Sequence, residues 1–350
     1  MTAAEPLDLL VLGGTSWLGG ATARHAAGRG HRVACLARGE AGQAPPGVTW
    51  VRADRTESDA YDEVAGGRWD AVVEVSWQPG FVRSALDRLA ATTAHWVYVS
   101  SCSVYTDDRT PGAGEDAAVH EPYEGDGPVD WEAYGPAKVA CELACLEALG
   151  PDAVLLARSG LIGGYGDRSD RLGYWPARIA RAEPGEAVLV PPRDTAVQVV
   201  DVEDLAAWLV PGAEDRVAGV FNAIGDPSTV GTVLDASVAA SGSSPRFVEA
   251  TDAWLARQDV APWSGPDSLP LWLPRPDHAG FMARDTTAAR RSGLTTRPLA
   301  DTVAATLRWE TEQGLERDRR AGLSSAREQA LLTRLGAPAP LTVDPGRPRR

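Results

Sequence analysis

The chain has 350 residues, of which 44% are apolar and 23% are charged, and its formal net charge at pH 7 is −14. This length exceeds one ordinary core, so one large domain with a smaller one is expected. An acidic body repels nucleic acid and anionic membrane surfaces, which excludes both as expected partners. The N-terminal residues show no secretory signal pattern and no apolar run reaches transmembrane length, so a cytoplasmic location is expected.

The cysteines predict free thiols and no metal site. Cys141 and Cys145 lie one helical turn apart, which is a spacing that metal ligands use, but no second ligand pair lies near them. We therefore interpret both as residues that pack a helix. The five histidines are scattered and form no metal or triad pattern.

The chain opens with a pattern typical of dinucleotide binding. A near-continuous apolar strand is predicted at residues 7–12, a glycine-rich turn at residues 13–19 and an alanine-rich helix at residues 20–28. Such a turn lets the backbone approach a pyrophosphate, and the N-terminus of the helix faces the negative charge. A glycine turn alone is a weak signal, so its weight depends on the second strand of the unit.

The end of the second strand predicts which dinucleotide is bound. This strand is predicted at residues 31–37, and NAD-binding proteins place an acidic side chain at its end to bind the ribose 2′-hydroxyl. Here Arg38 and Gly39 come next, so the strand end offers a guanidinium for a 2′-phosphate and no carboxylate. We expect NADP rather than NAD, while the alternative is that Arg38 is a solvated loop residue.

Strands and helices alternate through the first 160 residues. The predicted strands are residues 48–52, 69–76, 96–101 and 152–158, and the predicted helices are residues 57–65, 81–92 and 131–149. This alternation predicts the α/β class, a doubly wound parallel sheet of the Rossmann type with its site at the carboxyl ends of the strands. Residues 106–130 are acidic and rich in glycine and proline, and they predict a long loop over that site.

The helix predicted at residues 131–149 contains the only lysine, Lys138, in a chain with 33 arginines. Tyr134 precedes it by four residues, so the two side chains share one face of the helix. An ammonium beside a phenol favours the phenolate and lowers the pKa of the tyrosine toward working pH, as general acid–base catalysis requires. The alternative is an ordinary surface lysine. Pro136 requires the helix to begin late or its first turn to be irregular.

The sequence pattern changes after Ser159, and this change predicts a smaller C-terminal substrate-binding lobe. We assign residues 1–160 and about 195–225 to the dinucleotide-binding domain, about 161–194 and 226–337 to the lobe, and 338–350 to a disordered tail. Predicted elements here include helices at residues 172–182, 229–240, 301–314 and 325–335 and strands at 187–190, 195–200 and 220–224. Residues 254–282, rich in tryptophan and proline, either line a pocket or cover the surface.

Three motifs in order resemble the extended branch of the short-chain dehydrogenase/reductase superfamily, the NAD-dependent epimerase/dehydratase-like group. They are residues 13–19, residues 100–105 and residues 134–138, and the likeness extends from Leu7 to about Trp309. The resemblance implies that Ser101 hydrogen-bonds the substrate oxygen, that Tyr134 transfers a proton and that Lys138 holds the nicotinamide ribose. The alternative for Ser101 is a strand-end hydroxyl that bonds backbone.

The same resemblance implies a set of cofactor-binding residues. Asp54 and Arg55 would lie near the adenine, and Ser76 with residues 158–161 would lie along the nicotinamide. The complete expected set is Gly13, Thr15, Ser16, Trp17, Leu18, Gly19, Arg38, Asp54, Arg55, Ser76, Tyr134, Lys138, Ser159 and Leu161.

The sequence departs from the family pattern in two places. Ser16 replaces the middle glycine of the turn, and its hydroxyl could instead donate to a phosphate oxygen. Cys102 and Ser103 stand where sugar-nucleotide dehydratases have an Asp-Glu pair, which argues against dehydration.

Three functions remain open. The first is an NADP(H)-dependent reductase or dehydrogenase that acts on a carbonyl or secondary alcohol of a small metabolite. The second is a nucleotide-sugar epimerase that retains NAD, for which Arg168, Arg171, Arg178 and Arg193 could bind a diphosphate. The third is a non-catalytic dinucleotide sensor, although such proteins commonly lose the tyrosine–lysine pair. A monomer and a homodimer are equally expected.

Overall fold

The structure is a computed structural model that describes residues 5–336. The tail predicted at residues 338–350 lies outside this range. The strands are β1 (Asp8–Leu12), β2 (Arg32–Leu36), β3 (Thr49–Val51), β4 (Ala71–Glu74), β5 (Trp96–Ser101), β6 (Val154–Ser159), β7 (Leu161–Gly163), β8 (Ala187–Val190), β9 (Ala196–Val197), β10 (Val199–Asp201), β11 (Gly219–Ala223), β12 (Ser228–Thr229), β13 (Arg246–Glu249), β14 (Ala261–Trp263) and β15 (Ser268–Pro270).

The helices alternate with these strands in the first half of the chain. They are α1 (Trp17–Gly28), α2 (Asp62–Ala65), α3 (Pro79–Leu89), α4 (Tyr134–Leu149), α5 (Tyr174–Ala180), α6 (Val202–Glu214), α7 (Val230–Ser241), α8 (Asp252–Arg257), α9 (Thr287–Arg291), α10 (Leu299–Gln313) and α11 (Ser325–Arg334).

Within residues 5–336, seven parallel strands form one sheet in the order β11-β6-β5-β4-β1-β2-β3. The chain runs from β1 outward to β3 and then returns to the other side of β1 with β4. The strand order therefore reverses beside β1, and ligands of open α/β sheets bind at the carboxyl ends of the strands at such a point. The predicted doubly wound Rossmann-type fold is confirmed.

The sheet is buried on both faces because its strands are apolar at successive positions. Leu9 and Val11 of β1 pack in a core with α1 and α6, whereas Leu10 and Leu12 pack on the opposite face with α3 and α4. Cys141 and Cys145 belong to this second core and are fully buried free thiols. Burial raises the pKa of Cys141 to about 11, which keeps its thiol protonated and inert.

The chain divides into two compact units. The first runs through Ile162 and includes Gln198–Pro227 and His278–Arg297, and the second comprises Gly163–Val197, Ser228–Asp277 and the described residues from Pro298 onward. The segment His278–Arg297 thus groups with the first unit, whereas the sequence analysis places it in the substrate-binding lobe. Which unit binds which ligand stays a prediction.

The second unit contains a core of helices and a network of buried ion pairs. Helices α5, α7 and α10 pack together, and α11 packs on the parallel pair of β8 and β13. The Arg178 guanidinium of α5 bonds the carboxylates of Glu186 and Glu328, both at 2.7 Å. Trp272 is buried, and its indole N–H donates to an Asp252 carboxylate oxygen at 2.7 Å. This tryptophan of the segment at residues 254–282 therefore packs inside the second unit.

Several predicted elements differ from the structure at their ends. The helix predicted at residues 57–65 is reduced to α2, because residues 54–61 form turns, with Asp54 bonding Thr56. The helix predicted from residue 131 begins at Tyr134, after a 3₁₀ turn at Trp131–Ala133. Pro136 therefore lies in the first helical turn, where a missing N–H is tolerated. Thr229, the first residue of the helix predicted at residues 229–240, is the N-cap of α7 and accepts a hydrogen bond from the Thr232 N–H.

Candidate active site

The glycine turn connects β1 to α1 in a conformation that side chains would prevent. Gly13 has φ +85°, a left-handed conformation that favours glycine, and its N–H donates to the Leu36 carbonyl at 2.9 Å. A Cβ on Gly14 would lie 2.2 Å from the Cys35 Sγ atom, and one on Gly19 would lie 2.3 Å from the Gly13 carbonyl oxygen. The turn is therefore packed tightly against β2 and against itself.

Ser16 is the N-cap of α1. Its Oγ accepts a hydrogen bond from the Gly19 N–H at 3.2 Å, so the serine satisfies one backbone donor of the first helical turn. A hydroxyl that accepts this bond can still donate its own hydrogen. The departure from the family's middle glycine therefore leaves a donor at the helix N-terminus, where a phosphate would be bound.

A cleft of about 290 Å³ opens beside this turn at the carboxyl ends of β1, β2 and β4. Seven of the predicted cofactor residues line it together, although they come from four separate stretches of sequence. These residues are Gly13, Thr15, Ser16, Arg38, Asp54, Arg55 and Ser76. The sequence prediction thus brings together residues that share one cavity in the structure.

Two carboxylates flank Arg38 in the cleft. Its guanidinium lies 3.0 Å from the Glu40 carboxylate and 3.6 Å from the Asp54 carboxylate. Hydrogen bonds from Thr56, with the Arg38 charge, hold the pKa of Asp54 below its usual value. The strand end thus offers a carboxylate after all, because Glu40 lies two residues beyond Arg38 and turns into the same cleft. Both ion pairs are exposed and therefore weak.

Arg55 also lines the cleft, but its guanidinium is engaged elsewhere. It donates to both carboxylate oxygens of Glu74, at 2.9 and 2.5 Å, and to the carbonyl of Phe81. Burial opposes the charge of Arg55, but Glu74 and Tyr61 raise its pKa above the usual value. The geometry makes Arg55 part of the cleft wall, with its charge compensated by Glu74.

Lys138 lies buried on α4, with only 3% of its surface exposed. Its Nζ donates to the Ser76 carbonyl at 3.1 Å and to the Val99 carbonyl at 2.6 Å. The ammonium therefore lies over the carboxyl ends of β4 and β5, and it has a third N–H beyond these two bonds. The sole lysine is a fixed buried group and not the ordinary surface residue of the alternative interpretation.

Tyr134 is half-buried in an aromatic cluster next to this ammonium. The Lys138 Nζ lies 6.0 Å from the centre of the Tyr134 ring. The Trp131 ring stacks on Tyr134 with centroids 4.6 Å apart, and the Trp77 ring lies at 5.4 Å. The spacing of four residues thus places the amine beside the phenol on one helical face.

Ser101 is the last residue of β5. Its Oγ accepts a hydrogen bond from the Ser103 N–H at 3.1 Å and its O–H donates to the Ser103 Oγ at 3.2 Å, so the hydroxyl caps the turn after the strand. Val99, two residues earlier on this strand, provides one carbonyl partner of Lys138. Ser101 and Lys138 therefore belong to the same strand end.

The other predicted residues surround this strand end in different ways. Ser76 contributes its backbone, since its carbonyl also accepts from the Tyr98 hydroxyl at 3.1 Å. The Ser159 hydroxyl is buried and has no hydrogen-bond partner within the described part of the chain. Leu161 is buried. Trp17 and Leu18 form the first turn of α1 and pack against the core.

The residues present fit a dinucleotide. The turn at Gly13 lines the cleft, Ser16 offers a hydroxyl there, and Lys138 has a third ammonium N–H beside Ser76, which also lines the cleft. The buried hydroxyl of Ser159 lies on the strand next to Ser101 and is a donor that a bound group would satisfy. A pyrophosphate with a ribose on each side matches this donor set.

The family model described as "NAD dependent epimerase/dehydratase family" matches residues 9–95. Residues 9–95 are therefore similar to that family. The resemblance to the epimerase/dehydratase group is confirmed for these residues, and the match includes the glycine turn, the cleft and Ser76. The strand-end serine and the tyrosine–lysine pair lie beyond the matched residues, so their roles stay predictions.

Solved structures share the fold over most of their length. The Bordetella bronchiseptica enzyme WbmH in complex with NAD+ is 18% identical, with 89% of this chain and 100% of that one covered and a TM-score of 0.63. A UDP-N-acetylglucosamine 4-epimerase from Bacillus cereus is 17% identical, with 86% and 98% covered and a TM-score of 0.61. A UDP-glucose 4-epimerase from Thermotoga maritima is 14% identical, with 88% and 99% covered and a TM-score of 0.63. No curated protein matches the chain.

Sequence reasoning misses three residues of this site. Glu40 is missed because the family pattern places the acidic side chain directly at the end of the second strand. A carboxylate two residues further along the chain can still reach the same cleft. Trp77 and Trp131 carry no predicted role, yet both adjoin predicted site residues, Ser76 and Tyr134.

No helix among residues 5–336 is long and apolar enough to cross a membrane.

Proposed function

We propose that the protein is an NADP(H)-dependent oxidoreductase that interconverts a carbonyl and a secondary alcohol of a small metabolite. The observation that supports it best is the position of Lys138. The only lysine of the chain is buried, fixed by two strand-end carbonyls, and lies 6.0 Å from the ring of the predicted proton donor.

The catalytic residues are Ser101, Tyr134 and Lys138. When bound, a reduced nicotinamide dinucleotide supplies a hydride to the carbonyl carbon. The π electron pair then moves to the carbonyl oxygen, which takes a proton from the Tyr134 hydroxyl. Ser101 donates a hydrogen bond to the same oxygen, and Lys138 stabilises the tyrosinate that remains until solvent returns the proton. The product is the secondary alcohol and the oxidised dinucleotide.

The dinucleotide-binding residues are those of the cleft beside the glycine turn, together with Lys138. Gly13 and Ser16 bind the pyrophosphate through backbone and hydroxyl donors, and the third N–H of Lys138 bonds the nicotinamide ribose. Arg38 binds the 2′-phosphate of NADP, because a phosphate is a stronger partner for a guanidinium than an exposed carboxylate.

A nucleotide-sugar epimerase that retains NAD is the second candidate, because solved structures with this fold include enzymes of that name. Two of the four arginines that could bind a diphosphate are already paired with carboxylates. Arg178 bonds Glu186 and Glu328, and Arg193 bonds Asp235 at 2.8 Å. The buried pairing of Arg178 favours the oxidoreductase, whereas the exposed pair of Arg193 is weak.

The test is to purify the protein, denature it and identify any dinucleotide that it releases, and to titrate the native protein with NADPH and NADH. We expect reversible binding with a preference for NADPH, and oxidation of NADPH when a carbonyl substrate is added. Stoichiometric NAD that leaves only on denaturation would contradict the proposal and support the epimerase.

A further inference from the structure

The surface beside Tyr134 is aromatic and open. Trp131 is 64% exposed, more than any other large apolar side chain of residues 5–336. It stacks on Tyr134 with an angle of 25° between the rings, and the Trp77 ring meets it edge-on at 6.0 Å and 80°. Exposed tryptophan is costly to leave in water, so a ring held open at a reacting group suggests a ligand contact.

The two tryptophans are held in place by the backbone that carries them. The Gln78 side chain accepts from the Val129 N–H at 2.8 Å and donates to the Val129 carbonyl at 3.2 Å. This pair of bonds joins the segment that carries Trp77 to the segment that carries Trp131. The aromatic surface is therefore formed before any ligand binds, which lowers the entropy cost of binding.

The polar groups near this surface select against anions. Asp130 and Glu132, the chain neighbours of Trp131, are exposed carboxylates. The ammonium of Lys138 is buried and bonded to carbonyls, so its charge is partly compensated. A diphosphate would meet two negative charges here, whereas an uncharged planar group meets a flat indole face.

We propose that Trp131 and Trp77 bind a planar aromatic group of the substrate, so that the preferred substrates are uncharged ketones with an aryl group a few bonds from the carbonyl. The aryl group packs on the exposed indole of Trp131, and the carbonyl oxygen reaches the hydroxyl of Tyr134. This inference rests on the proposed function, because it names the substrate class of the same site.

The test compares benzylacetone with its cyclohexyl analogue, two ketones with the same carbon skeleton of which only the first is planar at the ring. We expect wild-type protein to show a KM for benzylacetone about fivefold to tenfold lower, the range that aromatic stacking provides. Trp131→Leu should remove this preference and Trp131→Phe should retain most of it. Leu143→Ala, which removes another exposed apolar side chain, should keep the wild-type ratio.

A binding measurement separates this inference from the proposed function. Tryptophan fluorescence of Tyr134→Phe protein is titrated with both ketones in the presence of NADP+, so that no turnover is needed. If benzylacetone binds more tightly than its analogue and Trp131→Leu abolishes the difference, the inference about the aromatic surface is supported. This holds even if wild-type protein reduces neither ketone. That absence of activity would refute only the proposed oxidoreductase function. Equal binding of the two ketones overturns the inference. A Trp131→Leu variant that changes the oligomeric state without changing ketone binding also overturns it, because Trp131 would then contact a second copy of the chain.

Discussion

The two ends of strand β5 contain polar side chains in opposite situations. His95, one residue before the strand, is completely buried, and burial lowers its pKa to about 4, with the charge of Arg216 adding to the effect. Ser101, at the other end, is half-buried and lies beside the strand-end carbonyl that binds Lys138. The amino end of the strand is buried in the core, whereas hydrogen-bond donors at its carboxyl end are available to a ligand.

This difference shows that burial alone does not identify a functional polar group. His95 is neutral through the physiological range, and its position costs stability when acid would charge it. Lys138 is equally buried, but two carbonyls stabilise its ammonium, and one of them belongs to Ser76, which lines the cleft. If the comparison is correct, substitutions at the carboxyl end change catalysis and binding, and a substitution at the amino end changes only stability.

Tyr134→Phe should have the largest effect. Loss of one hydroxyl removes the proton donor, and kcat should fall about 10³-fold, within the range of general acid–base catalysis. The ring still stacks on Trp131, so the free energy of unfolding should change little. Steady-state kinetics with chemical denaturation as the control would measure both, and a kcat within tenfold of wild type would exclude Tyr134 as the acid.

Lys138→Met should lower kcat/KM about 10²-fold and weaken dinucleotide binding about tenfold, because charged hydrogen bonds contribute about 1.5–3 kcal/mol. Lys138→Arg tests whether the amine itself is needed. A planar guanidinium does not match the site between the carbonyls of Ser76 and Val99, so this charge-conserving variant should also be impaired. Full activity of Lys138→Arg would show that positive charge alone is sufficient.

His95→Leu should change only the pH dependence of stability. The pKa of His95 is about 4 in the folded protein against an ordinary 6.5, so the unfolded chain binds more protons between these values. Stability therefore falls as pH drops below 6.5, by about 1.5 kcal/mol from pH 6.5 to 5, with a limiting slope of about 1.36 kcal/mol per pH unit. Urea unfolding across this window should show a shallower loss in the variant. If the free energy of unfolding depends on pH equally in both proteins, His95 is not a buried neutral histidine. The region above pH 7, where this free energy changes little with pH, is the internal control.

Glu40→Gln should have the smallest effect. Removing the carboxylate that competes with a 2′-phosphate for Arg38 should raise the affinity for NADPH relative to NADH about threefold, the scale of an exposed ion pair. Isothermal titration of both dinucleotides measures the ratio. Glu57→Gln is the matched control, since Glu57 is exposed and does not line the cleft. A shift toward NADH would show that Glu40 does not oppose the phosphate.

The sheet was predictable because the formation of apolar strands and glycine turns depends on only a few neighbouring residues. The strand at Asp8–Leu12 and the turn after it follow directly from their composition. The ends of α2 and α4 were less predictable, since side-chain bonds such as that between Asp54 and Thr56 stabilise turns at the expense of a helix.

The site was predictable where chemistry depends on one helical face, as for Tyr134 and Lys138. It was not predictable where a side chain finds its partner across the fold. Nothing near Arg55 in the sequence indicates that Glu74, at the end of β4, binds its guanidinium. The reversal of Glu40 toward Arg38 and the stacking of Trp131 on Tyr134 likewise depend on backbone direction, which residue types alone do not determine.

Calorimetric titration of the native protein with NADPH, repeated on Lys138→Met, tests the central claim most directly. The claim is that a dinucleotide lies along the carboxyl ends of the strands with its nicotinamide ribose at Lys138. Stoichiometric binding that weakens about tenfold in the variant is the predicted result. Absence of binding by wild-type protein, or equal affinity of the two proteins, would contradict it.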